Sequence, residues 1–312
     1  MEKLLEQKFK WSYAILILAL LLILGFAASA IISFFAGDDV GSLSGNVALI
    51  SIDGVISGSK DGSSIFEKGT SSLDAVELIE KADKNPAIKA IILEINSPGG
   101  SAVASEEIAN AVKKINKTTV AWIREVGASG GYWVASSTNH IVADRMSITG
   151  SIGVIASYLE FPGLLENYNV TYRRLVSGKY KDIGSPYKEM TFEEKAVFQQ
   201  VIDELRDYFV SEVAKNRKMS RKDVDKAANG LFYSGLQAKE LGLVDELGSK
   251  DEVIKYIEQK ENIKAEIVEY KKSKSILDVF SAEMSSQSFS VGKGIGSALL
   301  DRKAASEISI TT

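Results

Sequence analysis

The stretch Ile88-Lys89-Ala90-Ile91-Ile92-Leu93-Glu94-Ile95, closed by Asn96-Ser97-Pro98-Gly99-Gly100, decides the architecture of this chain. An apolar run of strand length that ends in a Pro-Gly-Gly break reads as a strand buried on both faces. Helical spacing follows through Ile108, Val112 and Ile115, and a second strand is predicted at Val120 to Ile123. Upstream, Val47 to Ile52 reads as another buried strand with turn chemistry at Asp53-Gly54. Ser57 to Ser72 is polar and aperiodic and reads as a loop, after which Leu73, Val76 and Ile79 keep helical spacing with Ser72 as the cap. This alternation indicates an α/β domain, its sheets mostly parallel with flanking helices.

Further strands are expected at His140 to Ala143, Val170 to Val176 and Ala265 to Val268, and a short helix at Gly130 to Ser136. A long amphipathic helix is predicted over Thr191 to Lys215, carrying Phe198, Ile202, Leu205 and Phe209 on one face. Ser234 to Leu241 and Asp251 to Ile257 also read as helical. The basic segment Lys215 to Lys226 reads as a solvated face.

The 312 residues, 45% of them hydrophobic, suffice for a sizeable core. A formal charge of -4 gives no overall basic footprint for nucleic acid. The absence of cysteine removes disulfides and thiolate metal sites, and neither a metal nor a cofactor is expected. From Trp11 to Gly37 there is no charged residue, which is long enough to cross a bilayer at about 20 residues per span. Lys3, Lys8 and Lys10 precede it and Asp38 and Asp39 follow, so the short tail is expected in the cytoplasm and the remainder outside it. The other reading is a cleaved signal peptide with Ala28-Ser29-Ala30 as its site, but the apolar stretch continues through Ile31 to Phe35. The expected organisation is a cytoplasmic tail (1–10), a transmembrane anchor (11–36), a linker (37–45), a catalytic domain (46–271) and a loosely ordered C-terminal tail (272–312).

Gly127-Ala128-Ser129-Gly130-Gly131 is where chemistry is expected. Small neighbours clear the space around one hydroxyl, as an attacking nucleophile requires. Ser129 would open a helix, so the N–H of Gly130 and one from Gly99 or Gly100 are natural oxyanion donors. Ser97 is a competing hydroxyl, but the proline after it removes an N–H, and it is read as shaping the turn. The single histidine, His140, lies in an apolar strand and is read as structural, which leaves lysine as the leading base. Lys179 and Lys181 share parity in a loop after a strand, and spacing does not separate them.

Asn96-Ser97-Pro98-Gly99-Gly100, Ala128-Ser129-Gly130-Gly131-Tyr132, Thr149-Gly150-Ser151-Ile152-Gly153-Val154, and Ser177-Gly178 with Lys181-Asp182 and Ser185-Pro186 stand in order along the chain. Together they resemble signal peptide peptidase A, a family of membrane-anchored Ser-Lys proteases, from about Val47 to Gly248. The resemblance implies Ser129 as nucleophile, Lys181 as general base and Ser151 as the group that orients the lysine amine. It also implies a fold like that of the Clp protease and crotonase superfamily, ring-shaped homo-oligomers, and apolar peptides such as remnant signal peptides as substrates. Alternative readings are a crotonase-like acyl-CoA enzyme, disfavoured by the anchor, and a non-catalytic membrane scaffold on the same fold.

Overall fold

The computed structural model describes residues 16–26, 28, 45–58 and 69–272. Parallel strands form its centre: β1 (Val47–Ser57), β2 (Gly69–Ser71), β3 (Ala90–Gly100), β4 (Thr118–Ala128), β5 (His140–Ala143) and, at the far edge, β8 (Glu246–Leu247), in the order β2-β1-β3-β4-β5-β8. The last turn of β4 also pairs in parallel with β6 (Ile148–Gly150), which pairs antiparallel with β7 (Phe232–Ser234). β9 (Ile267–Glu269) runs beside the start of β1.

The uninterrupted apolar character of β3 follows from cover on both faces. Alternate side chains go to opposite sides of a strand. Ile91, Leu93 and Ile95 enter the larger core, formed with α2 (Ser72–Lys84), α3 (Ala102–Lys113) and α4 (Gly130–Ser136). Ala90 and Ile92 join Val47, Leu49, Val120 and Val142 in a second core, closed by Val253 and Ile257 of α9 (Lys250–Glu261). The buried Tyr132 ties α4 to the far edge, its hydroxyl donating to the Leu243 carbonyl at 2.8 Å. Ser101 caps α3, and the Lys117 amine donates to the carbonyls of Ala82, Asp83 and Asn85, closing the C-terminal end of α2.

Several expectations need correction. The cap of α2 is Ser71, one residue earlier than read, and Gly69–Ser71 is a strand because Val55, Ile56 and Ser57 offer it an open parallel edge. Val170 to Val176 forms no strand: it is irregular and largely exposed, with Leu175 fully so. Its β-favouring side chains find no partner edge among the described residues, and strand propensity without pairing does not make a strand. The long helix is α6 (Phe192–Arg217), but only Phe209 of the four expected core residues is fully buried; it stacks on Trp133 at 4.6 Å while Leu205 is exposed. Of the expected anchor, residues 16–26 form a helix, α1, and among the described residues no helix is long and apolar enough to cross a membrane. The remainder of 11–36 lies outside the described residues apart from residue 28, as do segments 1–10 and 273–312.

At the start of α6, Thr191 and Glu194 form a reciprocal capping box, and the Lys188 amine reaches both Glu194 oxygens at 2.7 and 2.8 Å. The Lys188 bond, with the Thr191 amide behind it, holds the Glu194 carboxyl down at about 2. A depressed carboxylate stabilises the fold above its unfolded-state value, near 4.3, and this contribution is lost as pH falls through the folded value. Equilibrium unfolding should therefore show stability declining from about pH 4 to about pH 2, and Glu194→Gln should flatten that dependence while lowering stability at neutral pH.

Candidate active site

The strands end in two glycine turns that face each other at the carboxyl edge of the sheet. Ser97 of β3 is opposite Gly127 of β4, and Ala128 is opposite Gly150 of β6. Contact at this spacing requires that side chains be absent. A Cβ on Gly99 would lie 2.6 Å from the Gly130 nitrogen, one on Gly131 would lie 2.7 Å from the Ser97 carbonyl oxygen, and one on Gly130 would lie 2.2 Å from the Ser105 hydroxyl. Gly127 packs against Ile123 in the same way. The segment 127–131 also has the Gly-x-Ser-x-Gly spacing of a tight strand-to-helix turn, a signal that the reading of small neighbours had only half used.

Ser129 is held at that turn with φ 51° and ψ −121°, a conformation costly for any residue with a side chain. Its amide donates to the Gly150 carbonyl at 2.8 Å, and its own carbonyl accepts from the Trp133 amide at 2.9 Å, the first turn of α4. The next residue, Gly130, opens the helix, where an N–H has no intrahelical acceptor. Strain concentrated on one serine at the mouth of a helix is the arrangement that presents a hydroxyl beside unspent amide donors.

The facing turn settles which of its glycines has an uncommitted amide. Ser97 is fully buried; its hydroxyl donates to the Gly54 carbonyl at 2.5 Å and accepts the Gly99 N–H at 3.1 Å. The Gly99 amide is thus engaged, which corrects the expectation that it could serve as a donor. On β1 it is Ser101, not Gly100, that donates to the Ile56 carbonyl, at 2.8 Å. In a parallel ladder this turns the Gly100 amide toward the opposite edge, on the side where Gly130 stands.

Ser151 immediately follows the Gly150 carbonyl that holds Ser129. It is half-buried with φ 50°, and its amide donates to the Leu231 carbonyl at 2.8 Å. Ser129, Ser151, Gly99, Gly100 and Gly130 are therefore brought together. Lys181 is not: it lies on an exposed turn following the irregular segment 170–176. Its neighbour Lys179 is exposed and bonded to Glu193 at 2.5 Å, and that bond pushes its amine up from the ordinary lysine value. Asp182 is paired with Arg174. His140 is remote from the turn, stacked on Tyr256 at 3.9 Å with Glu246 at 3.3 Å, in keeping with a structural role.

The profile of Peptidase family S49 matches residues 111–264, which include Ser129. A putative protease of Methanocaldococcus jannaschii is 38% identical over 229 residues, covering 72% of each chain. A putative signal peptide peptidase SppA of Enterococcus faecium is 34% identical over 235 residues, covering 74% of this chain and 68% of the relative. Protease 4 of Haemophilus influenzae is 32% identical over 68% of this chain but only 34% of its own length. The chain belongs to peptidase family S49, the signal peptide peptidase A family, and is a protease.

The two glycine turns make separable predictions for peptidase activity. In Gly99→Ala the added carbon meets the Gly130 backbone at φ +98°, so kcat should fall by roughly 10²-fold with no side chain able to yield. In Gly130→Ala the obstacle is the Ser105 side chain, so kcat should fall at least about tenfold and recover in part in the Gly130→Ala/Ser105→Gly double variant. Steady-state kinetics on the three proteins, with thermal unfolding alongside, check this.

Proposed function

We propose that the protein is a membrane-anchored serine endopeptidase that cleaves apolar peptides, remnant signal peptides among them, through an acyl-enzyme. The observation that carries this reading is the strained Ser129, fixed to the Gly150 carbonyl between the Gly100 and Gly130 amides. In the proposed reaction a neutral Lys181 amine takes the Ser129 proton, and the hydroxyl oxygen attacks the scissile carbonyl carbon. The Gly130 and Gly100 N–H groups stabilise the oxyanion. The lysine then returns the proton to the leaving amine, and water, activated by the same amine, releases the acyl group. Ser151, one residue from the Gly150 carbonyl, would orient the amine.

Lys181 is assigned by resemblance, and the state of Lys179 favours the choice, since an amine paired with Glu193 is kept protonated and unfit as a base. The exposed apolar side chains Ile155, Leu159, Leu164 and Leu175, all preceding Lys181, support a homo-oligomer, a ring in this proposal, in which that segment is covered and the lysine is brought to the serine. Exposed Leu231 and Phe232, beside Ser151 and Gly150, supply an apolar surface suited to apolar peptides. The anchor at 11–36 would leave residues 1–10 in the cytoplasm and the catalytic domain on the other side of the membrane. No metal or cofactor enters this chemistry.

Hydrolysis of a labelled apolar peptide by the full chain in detergent tests the proposal. Ser129→Ala and Lys181→Ala should each lower kcat/KM by roughly 10³-fold or more with assembly intact, and the unmodified rate should rise toward alkaline pH as the amine deprotonates. Retention of activity in Lys181→Ala with its loss in Lys179→Ala would transfer the base to Lys179. No turnover of any peptide in a broad panel by the assembled protein would leave the scaffold reading in its place.

A further inference from the structure

On the face of the sheet that carries α2 and α3, an open groove of about 370 Å³ runs between these two helices. Its floor is apolar: Leu73, Val76 and Ile79 from α2, with Ala111 and Ile115 from α3 and the residues just after it. Leu73 is 45% exposed and Val76 and Ile115 are only partly buried. The helices run alongside each other in the same direction. Ser72 bonds Glu107 at 2.5 Å near one end, and Lys117 closes the end of α2 at the other. Asp83 and Glu107 place negative charge on the rim.

The described chain ends beside the entrance to this groove. After β9 it returns along β1, and the Lys272 amine bonds both oxygens of Asp74, in the first turn of α2, at 2.9 and 3.1 Å. The residues that follow are Ser273-Lys274-Ser275-Ile276-Leu277-Asp278-Val279-Phe280, four large apolar side chains behind a basic leader. From Leu73 to Asp83 the helix covers about 15 Å at 1.5 Å per residue. Eight extended residues reach about 26 Å, enough to enter at Asp74 and arrive at the far end.

We infer that the segment Ile276–Phe280 of this chain docks in the groove between α2 and α3 of the same protomer, its basic leader fixed at the acidic entrance and its apolar side chains covering Val76 and Ile115. Three observations carry this: the exit point at Asp74, the match of lysines to an acidic rim, and a length of chain that fits the groove. The inference does not depend on the proposed catalytic residues.

The full chain has no cysteine, so an introduced pair forms the only possible disulfide. Lys114→Cys, at the far end of the groove, is combined in turn with Leu277→Cys, Val279→Cys and Phe280→Cys and mildly oxidised; Lys255→Cys on α9, across the sheet, replaces Lys114→Cys as the control. Docking predicts an intrachain cross-link for at least one Lys114 pair, at least about tenfold faster than for its control. Hydrogen exchange of the full chain is the second readout: Leu277→Asp/Phe280→Asp should speed exchange of amides in 72–84 and 102–115 by at least about threefold. Cross-links between chains would give the groove to a second copy and overturn the inference. Equal rates with the control, or unchanged exchange, would overturn it as well.

Discussion

The site depends on how closely two backbones approach at the carboxyl edge of the sheet. Between the turn at Ser97 to Gly100 and the turn at Ser129 to Gly131 there is no room for a single Cβ, and the backbone itself is the obstacle at Gly99 and Gly131. This contact places two amides near one hydroxyl, and it can be maintained only if both turns are rigid. Ser97 secures one of them with two hydrogen bonds from a fully buried hydroxyl; the Gly150 carbonyl secures the other by holding the Ser129 amide. The positive φ of Ser129 is the energetic cost of that arrangement, offset by the packing of α4 in the core beneath it.

The core of the fold was legible because parallel strands covered on both faces carry an unmistakable pattern. β3, β4 and β5 and the helices between them lie where the apolar runs and glycine breaks place them, His140–Ala143 and Gly130–Ser136 to the residue. What the sequence does not convey is pairing. Val170 to Val176 has the side chains of a strand and no neighbour to bond with, whereas Gly69–Ser71 has poor strand residues and an edge that accepts them. Local propensity is a weak guide when the decisive term is a hydrogen-bonding partner distant in sequence.

The same distinction runs through the site. Ser129 and its glycines could be read from composition because the requirement for empty space leaves a trace in the residues themselves. The commitment of the Gly99 amide to Ser97 could not, since it is set by the register of the turn and the carbonyl of Gly54. Lys181 stands at the other extreme. Its neighbourhood is not a property of its own stretch of chain, so neither periodicity nor the fold of one protomer supplies it, and only the ordered series of motifs singles it out.

The domain begins and ends at one place. Val47 and Ile267 run side by side, and Asn46 bonds to both Lys264 and Glu266, so the two termini of the domain are zipped together at the amino edge of the sheet. Ser129 is at the opposite edge, about nine strand residues away along β1 and β3, or roughly 30 Å. A load applied through either terminus is therefore borne by the β1–β9 seam, far from the strained serine. A domain tethered at its seam works at arm's length from its tether, and what it cuts must first travel that distance.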